Sequence, residues 1–241
     1  GTLTLSVVSV DPGEEDTAVI LYTSGTTGQP KGAELTHLNL YSNVTTTFLI
    51  HLPVLNFTDG VQKTCLITLP LFHTTGQTVQ MNTQIYAGHR IVLLPRFDAK
   101  LTLDTMASEK VNFWVGVPTM YWALLKYAEE TGYDVSRISD NMKVCTSGGA
   151  PMPVEIMKAF EAKFGIRVME GYGLSETSPL ATANHLEKPS KPGTVGQQRT
   201  LQVARGGPAL DAPRSADLQV VGAAEDHVEA LAPRYHLRDG I

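Results

Sequence analysis

From Thr17 to about Gly171, strand-like apolar runs alternate with segments of helical periodicity, and no other feature narrows the fold of this chain so far. Residues 18–22, 64–69, 90–94, 112–115, 143–146 and 167–170 have the length and apolar content of strands, and 18–22 reads as a buried one. Between them lie helical patterns with recognisable ends. Asp98 is placed to cap a helix carrying Leu103, Met106 and Ala107 on one face. Pro118 and Thr119 open another, with Tyr121, Leu124, Leu125 and Ala128 in register. Pro153 begins a third, bearing Val154, Met157, Phe160 and Phe164, and Gly165 stops it. The expected architecture is α/β: a layered, mostly parallel sheet with flanking helices.

The first strand empties into an unusual loop. Residues 21–32 read Leu-Tyr-Thr-Ser-Gly-Thr-Thr-Gly-Gln-Pro-Lys-Gly, with hydroxyls at Thr23, Ser24, Thr26 and Thr27, glycines at Gly25, Gly28 and Gly32, and a cation at Lys31. Glycine lets the backbone take positive φ and bring N–H groups close to phosphate oxygens; hydroxyls add donors, and the ammonium supplies compensating charge. The spacing differs from a Walker loop, because Gln29 and Pro30 separate Gly28 from Lys31. The chemistry is still that of a polyphosphate cradle.

Composition removes several classes of function. The 241 residues are 42% hydrophobic and 18% charged, enough to bury a substantial core. A net charge of −5 gives no electrostatic reason to expect nucleic acid as a partner. Cys65 and Cys145 stand far apart, which suggests reduced, buried thiols in a cytoplasmic setting rather than a disulfide framework. No apolar stretch approaches the roughly 18 residues of a membrane span, so any membrane contact is expected to be peripheral.

Three more motifs follow the loop in order: Pro70-Leu-Phe-His-Thr-Thr-Gly76, Ser147-Gly-Gly-Ala-Pro-Met152, and Gly171-Tyr-Gly-Leu-Ser-Glu-Thr-Ser-Pro179, with Gly193-Thr-Val-Gly196 as a last landmark. Together with the loop they closely resemble the signature blocks of the adenylate-forming superfamily, which includes acyl-CoA synthetases, luciferases and the adenylation domains of peptide synthetases. The resemblance covers roughly residues 14 to 197. It implies the core portion of that family's N-terminal domain, and it implies ATP, Mg²⁺ and coenzyme A as cofactor, metal and co-substrate.

Site residues follow from the same resemblance. Thr23, Ser24, Gly25, Thr26, Thr27 and Gly28 would cradle the outer phosphates with Lys31. Gly148, Gly149, Ala150 and Pro151 would form one wall of the adenine site, and Gly171, Tyr172 and Gly173 the other, with the Tyr172 ring stacked on the base. Ser175, in a place where the family more often has threonine, keeps a hydroxyl within reach of a phosphate oxygen. Glu176 is the candidate metal ligand. His73 would orient the carboxylate or gate access; a general base is unnecessary, since an acid is already ionised at neutral pH.

The acyl pocket is the least defined element. Residues 115–119 follow a strand and could leave a tunnel beside Met81, Trp114 and Tyr121, although ordinary core packing accounts for the same side chains. No Arg or Lys falls within residues 113–121, which favours a monocarboxylic acid, and residues 70–76 and 116–122 look most like bacterial medium- or long-chain fatty-acid CoA ligases. The expected function is therefore part of an ATP-dependent fatty-acid:CoA ligase, impaired on its own. The alternatives are an adenylation domain that loads a carrier protein, and a non-catalytic nucleotide-binding remnant.

Residues 198–241 break the pattern. They contain five Arg and no Lys, whereas residues 1–197 contain ten Lys and four Arg. The chain is expected to divide into a partial nucleotide- and acyl-binding domain over 1–197 and an atypical tail over 198–241, out of frame or foreign and mostly disordered, with residues 218–221 as its one strand-like run. Only about twenty residues precede the phosphate loop, so exposed apolar surface is expected as well.

Overall fold

A computed structural model describes residues 11–23, 30–55, 61–184, 191 and 193–198. The tail expectation over 198–241 and the cradle residues Ser24, Gly25, Thr26, Thr27 and Gly28 fall outside the described residues, apart from Gln198 itself.

The expected parallel sheet is present. Strands β3 (Thr64–Ile67), β4 (Arg90–Leu93), β5 (Phe113–Gly116), β6 (Val144–Ser147) and β7 (Val168–Gly173) lie in the order β4-β3-β5-β6-β7, every neighbouring pair parallel. Two antiparallel strands, β8 (Leu180–Ala183) and β9 (Gln197–Gln198), extend the β7 edge. Residues of β3, β5 and most of β6 and β7 are buried, as strands covered on both faces must be. Side chains alternate between two layers. Leu66, Trp114, Cys145 and Val168 point to one face, where α3 (Ala99–Ser108), α4 (Pro118–Thr131), α5 (Ser136–Asn141) and α6 (Val154–Phe164) pack. Cys65, Ile67, Phe113, Val115, Val144 and Met169 point to the other, against Leu55 of α1 (His37–Leu55) and Val79 of a π-helical segment, Thr75–Asn82. Short helix α2 (Thr83–Tyr86) follows that segment.

The expected helix ends hold: Asp98 Oδ1 accepts from Leu101 N at 2.8 Å, Pro118 takes the first turn of α4, and Gly165 closes α6 with a φ of 66°. Gly132, which the sequence reading did not mark, closes α4 in the same way. Helix α1, which no sequence pattern announces, starts from a reciprocal pair: Thr36 N donates to Asn39 Oδ1 at 3.0 Å and Asn39 N to Thr36 Oγ1 at 3.2 Å. Its threonines turn their hydroxyls back on the helix, Thr45 to Tyr41 O at 3.0 Å and Thr46 to Ser42 O at 2.7 Å.

One strand differs from expectation. β1 (Thr17–Thr23) is not a buried member of the parallel sheet; it pairs antiparallel with β2 (Lys31–Thr36) in a separate two-stranded hairpin. Ile20 and Tyr22 lie 55% and 76% exposed on its outer face. A short apolar run looks the same in a core strand and in a hairpin with only one face covered, and here the described residues cover only one. Phe72, Ile85 and Trp122 are also largely exposed.

Candidate active site

Parallel strands all end on the same side, so the loops that leave β3, β5, β6 and β7 gather at one edge of the sheet. These four loops carry residues 70–76, 116–119, 147–151 and 171–176, the segments that hold the expected motifs. The chain reverses its direction of travel across the sheet between β3 and β5, and a crevice opens at such a switch point. His73 stands beside it. Three strand spacings separate β3 from β7, so the His73 loop and the Tyr172 loop lie roughly 14 Å apart along the edge.

At the β6–β7 end the backbones nearly touch. A Cβ built on Gly148 would stand 3.2 Å from Gly171 O, and Gly149 has a φ of +78°, so both positions of the turn suit glycine. Gly148 N donates to Gly116 O at 3.3 Å, which ties the turn to the end of β5. Gly173 is tighter still: a Cβ there would lie 2.1 Å from Pro179 O. Tyr172, between the two glycines, is 48% exposed, and Ala150 and Pro151 in the loop that leaves the neighbouring strand β6 are exposed as well.

Glu170 supports this turn from below. It pairs with Ser147 across β6 and β7, is buried, and accepts from the backbone N–H groups of Met152 and Gly193. Burial raises its pKa, and the two N–H groups oppose that rise. Sequence reasoning did not single it out; the signal was a charged residue inside an otherwise apolar strand.

Glu176 sits on a single 3-10 turn, Ser175–Thr177, between β7 and β8, with Ser175 half-buried beside it. The hairpin strand β2 packs against this turn, with Lys31 at the start of β2 paired to Thr23 at the end of β1. The turn is held from across the fold by Asn43 of α1, fully buried. Asn43 Nδ2 donates to Thr177 O and Leu180 O at 3.0 Å each, and its Oδ1 accepts from Leu180 N at 3.3 Å. No motif pointed to Asn43.

His73 is exposed, and its loop is closely determined. His73 N donates to Pro70 O at 3.1 Å, Gln77 N to His73 O at 3.0 Å, and Nδ1 accepts from Thr75 N at 3.2 Å. With Nδ1 an acceptor, the neutral ring carries its proton on Nε2 and offers a donor outward. Behind this loop, Gln80 is buried and its Nε2 bonds both Leu66 O and Val115 O at 3.2 Å, where the β3–β5 ladder stops.

The expected tunnel beside Met81, Trp114 and Tyr121 does not form as one space. Met81 packs in the α1-side cluster, whereas Trp114 and Tyr121 belong to the opposite layer. Trp114 fills its own neighbourhood: its ring passes so close over Gly116 that a Cβ there would be 2.4 Å away, and its Nε1 donates to Thr68 Oγ1 at 3.0 Å.

Among the described residues no group of three His, Cys, Asp or Glu could hold a metal. A lone carboxylate at Glu176 nonetheless fits Mg²⁺, which prefers one or two carboxylates with phosphate oxygens and waters completing the shell. No described helix is long and apolar enough to cross a membrane.

The family model described as AMP-binding enzyme matches residues 4–205. A long-chain-fatty-acid–CoA ligase of Bacillus subtilis (strain 168) is 41% identical over 192 residues, covering 80% of this chain and 33% of the relative. Marinolic acid–CoA ligase of Pseudoalteromonas sp. (strain SANK 73390) is 32% identical over 196 residues, covering 79% and 29%. Among solved structures, ATP-bound MatB from Rhodopseudomonas palustris superposes with a TM-score of 0.69 at 35% identity, over 80% of this chain and 36% of that one. The o-succinylbenzoate CoA synthetase of Bacillus subtilis in complex with ATP and magnesium ion gives 0.65 at 29% identity, over 80% and 38%. The chain thus spans about a third of the length of the relatives it matches.

Proposed function

We propose, from the premise that this chain belongs to the AMP-binding enzyme family, that it forms the nucleotide- and acid-binding part of an ATP-dependent fatty-acid:CoA ligase, working in the cytoplasm on a monocarboxylic substrate. Residues 1–197 make that part, and the 198–241 segment lies outside it. The observation that supports the reading is the close approach of the glycine turns at Gly148 and Gly171, with the Glu176 turn following β7 and the hairpin strand β2 packed against it. The curated relatives named above are CoA ligases, which favours coenzyme A over a carrier protein as acceptor.

Each residue has a task. Tyr172 stacks on adenine, and Gly148, Gly149, Ala150 and Pro151 close the other side of the base. Thr23, Ser24, Gly25, Thr26, Thr27 and Gly28 donate to the outer phosphates while Lys31 offsets their charge. Glu176 holds the divalent cation, which when bound neutralises charge on the triphosphate, and Ser175 adds a hydroxyl nearby. His73 Nε2–H orients the acid's carboxylate at the mouth of the β3–β5 crevice. A carboxylate oxygen then attacks the α-phosphorus, pyrophosphate leaves, and the thiol of coenzyme A displaces AMP from the acyl carbonyl.

Calorimetry with a non-hydrolysable fatty-acyl-adenylate mimic tests the reading without requiring turnover. The polypeptide is expected to bind the mimic, and Tyr172→Ala and Lys31→Ala are expected to weaken ATP binding by about tenfold each, the loss of a stacking partner or of one charge-assisted contact. Absence of binding by a folded chain, or affinity untouched by both substitutions, refutes it.

A further inference from the structure

We propose that Asn43 is a positioning residue for the cation: through its side chain, helix α1 sets where the Glu176 carboxylate stands relative to Lys31, so that metal-dependent nucleotide binding depends on a residue that touches neither metal nor nucleotide. The inference rests on the assignment of Glu176 above and extends it to a residue the motifs leave out.

Four observations converge on Asn43. The Glu176 turn is tied within itself only locally, by Thr177 N to Leu174 O at 3.1 Å, Leu174 N to Pro179 O at 3.1 Å and Leu174 N to Thr177 Oγ1 at 2.9 Å. The amide of Asn43 ties it to α1, bracketing Ser178 and Pro179 by holding Thr177 on one side and Leu180 on the other. Asn43 is fully buried, so these bonds are shielded from water and hold the amide in a single orientation. Finally, Asn43 lies one helical turn beyond Asn39, whose pairing with Thr36 fixes the start of α1 to the end of β2. One continuous path therefore runs from Lys31 along β2, through the Thr36–Asn39 pair and Asn43, to Thr177 beside Glu176. Partners that orient metal ligands typically change metal affinity by about 10- to 100-fold when removed. Sequence reasoning overlooked this one because an asparagine in mid-helix has no motif around it.

The test is a magnesium titration of nucleotide affinity on the whole polypeptide, using a non-hydrolysable ATP analogue and calorimetry. In the unaltered chain Mg²⁺ is expected to tighten the analogue, and Glu176→Gln to remove most of that gain. Asn43→Ala is expected to raise the half-saturating Mg²⁺ concentration about tenfold while leaving metal-free affinity within about twofold. Adding Asn43→Ala to Glu176→Gln should cost little more, since both act on one interaction. Val44→Ala, which truncates the buried neighbour on α1, serves as control: it should lower the melting temperature and leave the magnesium dependence unmoved. If Asn43→Ala does not fold, hydrogen exchange in the unaltered chain decides instead. Magnesium with the analogue should then protect residues 43–47 and 174–180 together. Magnesium dependence that survives Asn43→Ala but falls with Glu176→Gln, or protection of the turn without α1, overturns the role of Asn43 alone. An unaltered chain that binds the analogue with no response to magnesium overturns the Glu176 assignment as well.

Discussion

Substituting Gly76 by alanine offers a sharp check on how the His73 loop is built. Gly76 is buried in the π-helical segment, which folds back over the end of β3, and a Cβ there would stand 2.3 Å from Pro70 O, 2.9 Å from Pro70 C and 3.0 Å from Leu69 O. All three are backbone atoms, so no side-chain rotation relieves the overlap; either the segment or residues 69–70 must move. Movement breaks the bonds that shape the loop, His73 N to Pro70 O and Gln77 N to His73 O. Two hydrogen bonds at about 1 kcal/mol each, with an overpacking cost of about 1–3 kcal/mol, place the loss at roughly 3–5 kcal/mol. Gly132→Ala is the natural comparison, since Gly132 has a φ of +66° and open space where a Cβ would go. Its cost is only the left-handed conformation, about 1–2 kcal/mol. Urea unfolding of both variants, with slopes compared to confirm that unfolding remains two-state, gives the two differences directly. If Gly76→Ala costs no more than Gly132→Ala, the close passage of the segment over Pro70 is wrong and the account of His73 falls with it.

Two buried ionisable groups predict opposite responses to pH. Burial against Phe113 holds His51 down to about 4 from an ordinary 6.5, so the unfolded chain takes up the proton first. The His51 contribution should be level above pH 6.5 and fall by up to about 3 kcal/mol toward pH 4; His89, also held down to about 4 by burial, adds to the same limb, so His51→Gln should make it shallower without removing it in denaturant titrations, and an unchanged slope refutes the burial. Glu170 is raised, so its stabilising neutral form is present below the ordinary carboxyl pKa and lost as pH climbs through the folded one. Glu170→Gln should therefore melt higher than the unaltered chain at pH 7 and converge with it near pH 4, as scanning calorimetry would register; a lower melting temperature at pH 7 would mean that the bonds from Met152 and Gly193 outweigh burial.

The legible parts of the fold were those whose local chemistry matches their tertiary role. β3, β5, β6 and β7 are buried on both faces, so their residues form the unbroken apolar runs that periodicity detects. Asp98, Pro118 and Gly165 mark helix ends by chemistry visible in a single residue. Helix α1 was invisible for the opposite reason: Asn39, Ser42, Asn43 and the run Thr45-Thr46-Thr47 are poor helix formers and interrupt any apolar stripe. β1 misled because its apolar residues are shared between a covered face and an open one. Within the site, the glycine turns were legible as close backbone approaches, whereas Asn43 and Glu170 act through partners more than twenty residues or a whole strand away, and their spacing carries no local signal.

The polarity of α1 follows from what it must hold. Asn39, Asn43, Thr47 and His51 recur every four residues and are all buried, so one whole stripe of the helix presents hydrogen-bonding groups to the interior. Such a stripe is costly unless its partners exist, and the partners of Asn43 are the backbone groups of a turn that has no regular ladder to satisfy them. An apolar residue at 43 would suit the helix and strand the carbonyls of Thr177 and Leu180. On the opposite face of the sheet the layer is largely aromatic: Trp114, Tyr121, Phe160 and Phe164 follow one another with ring centroids 4.8, 4.9 and 4.1 Å apart, the first pair tilted, the second edge-on and the last stacked, and supply close packing. The two layers thus divide the work, the aromatic one giving a rigid sheet and the polar one holding the irregular loops at its edge. Damage to the first should register in stability alone, and damage to the second in ligand binding before stability fails.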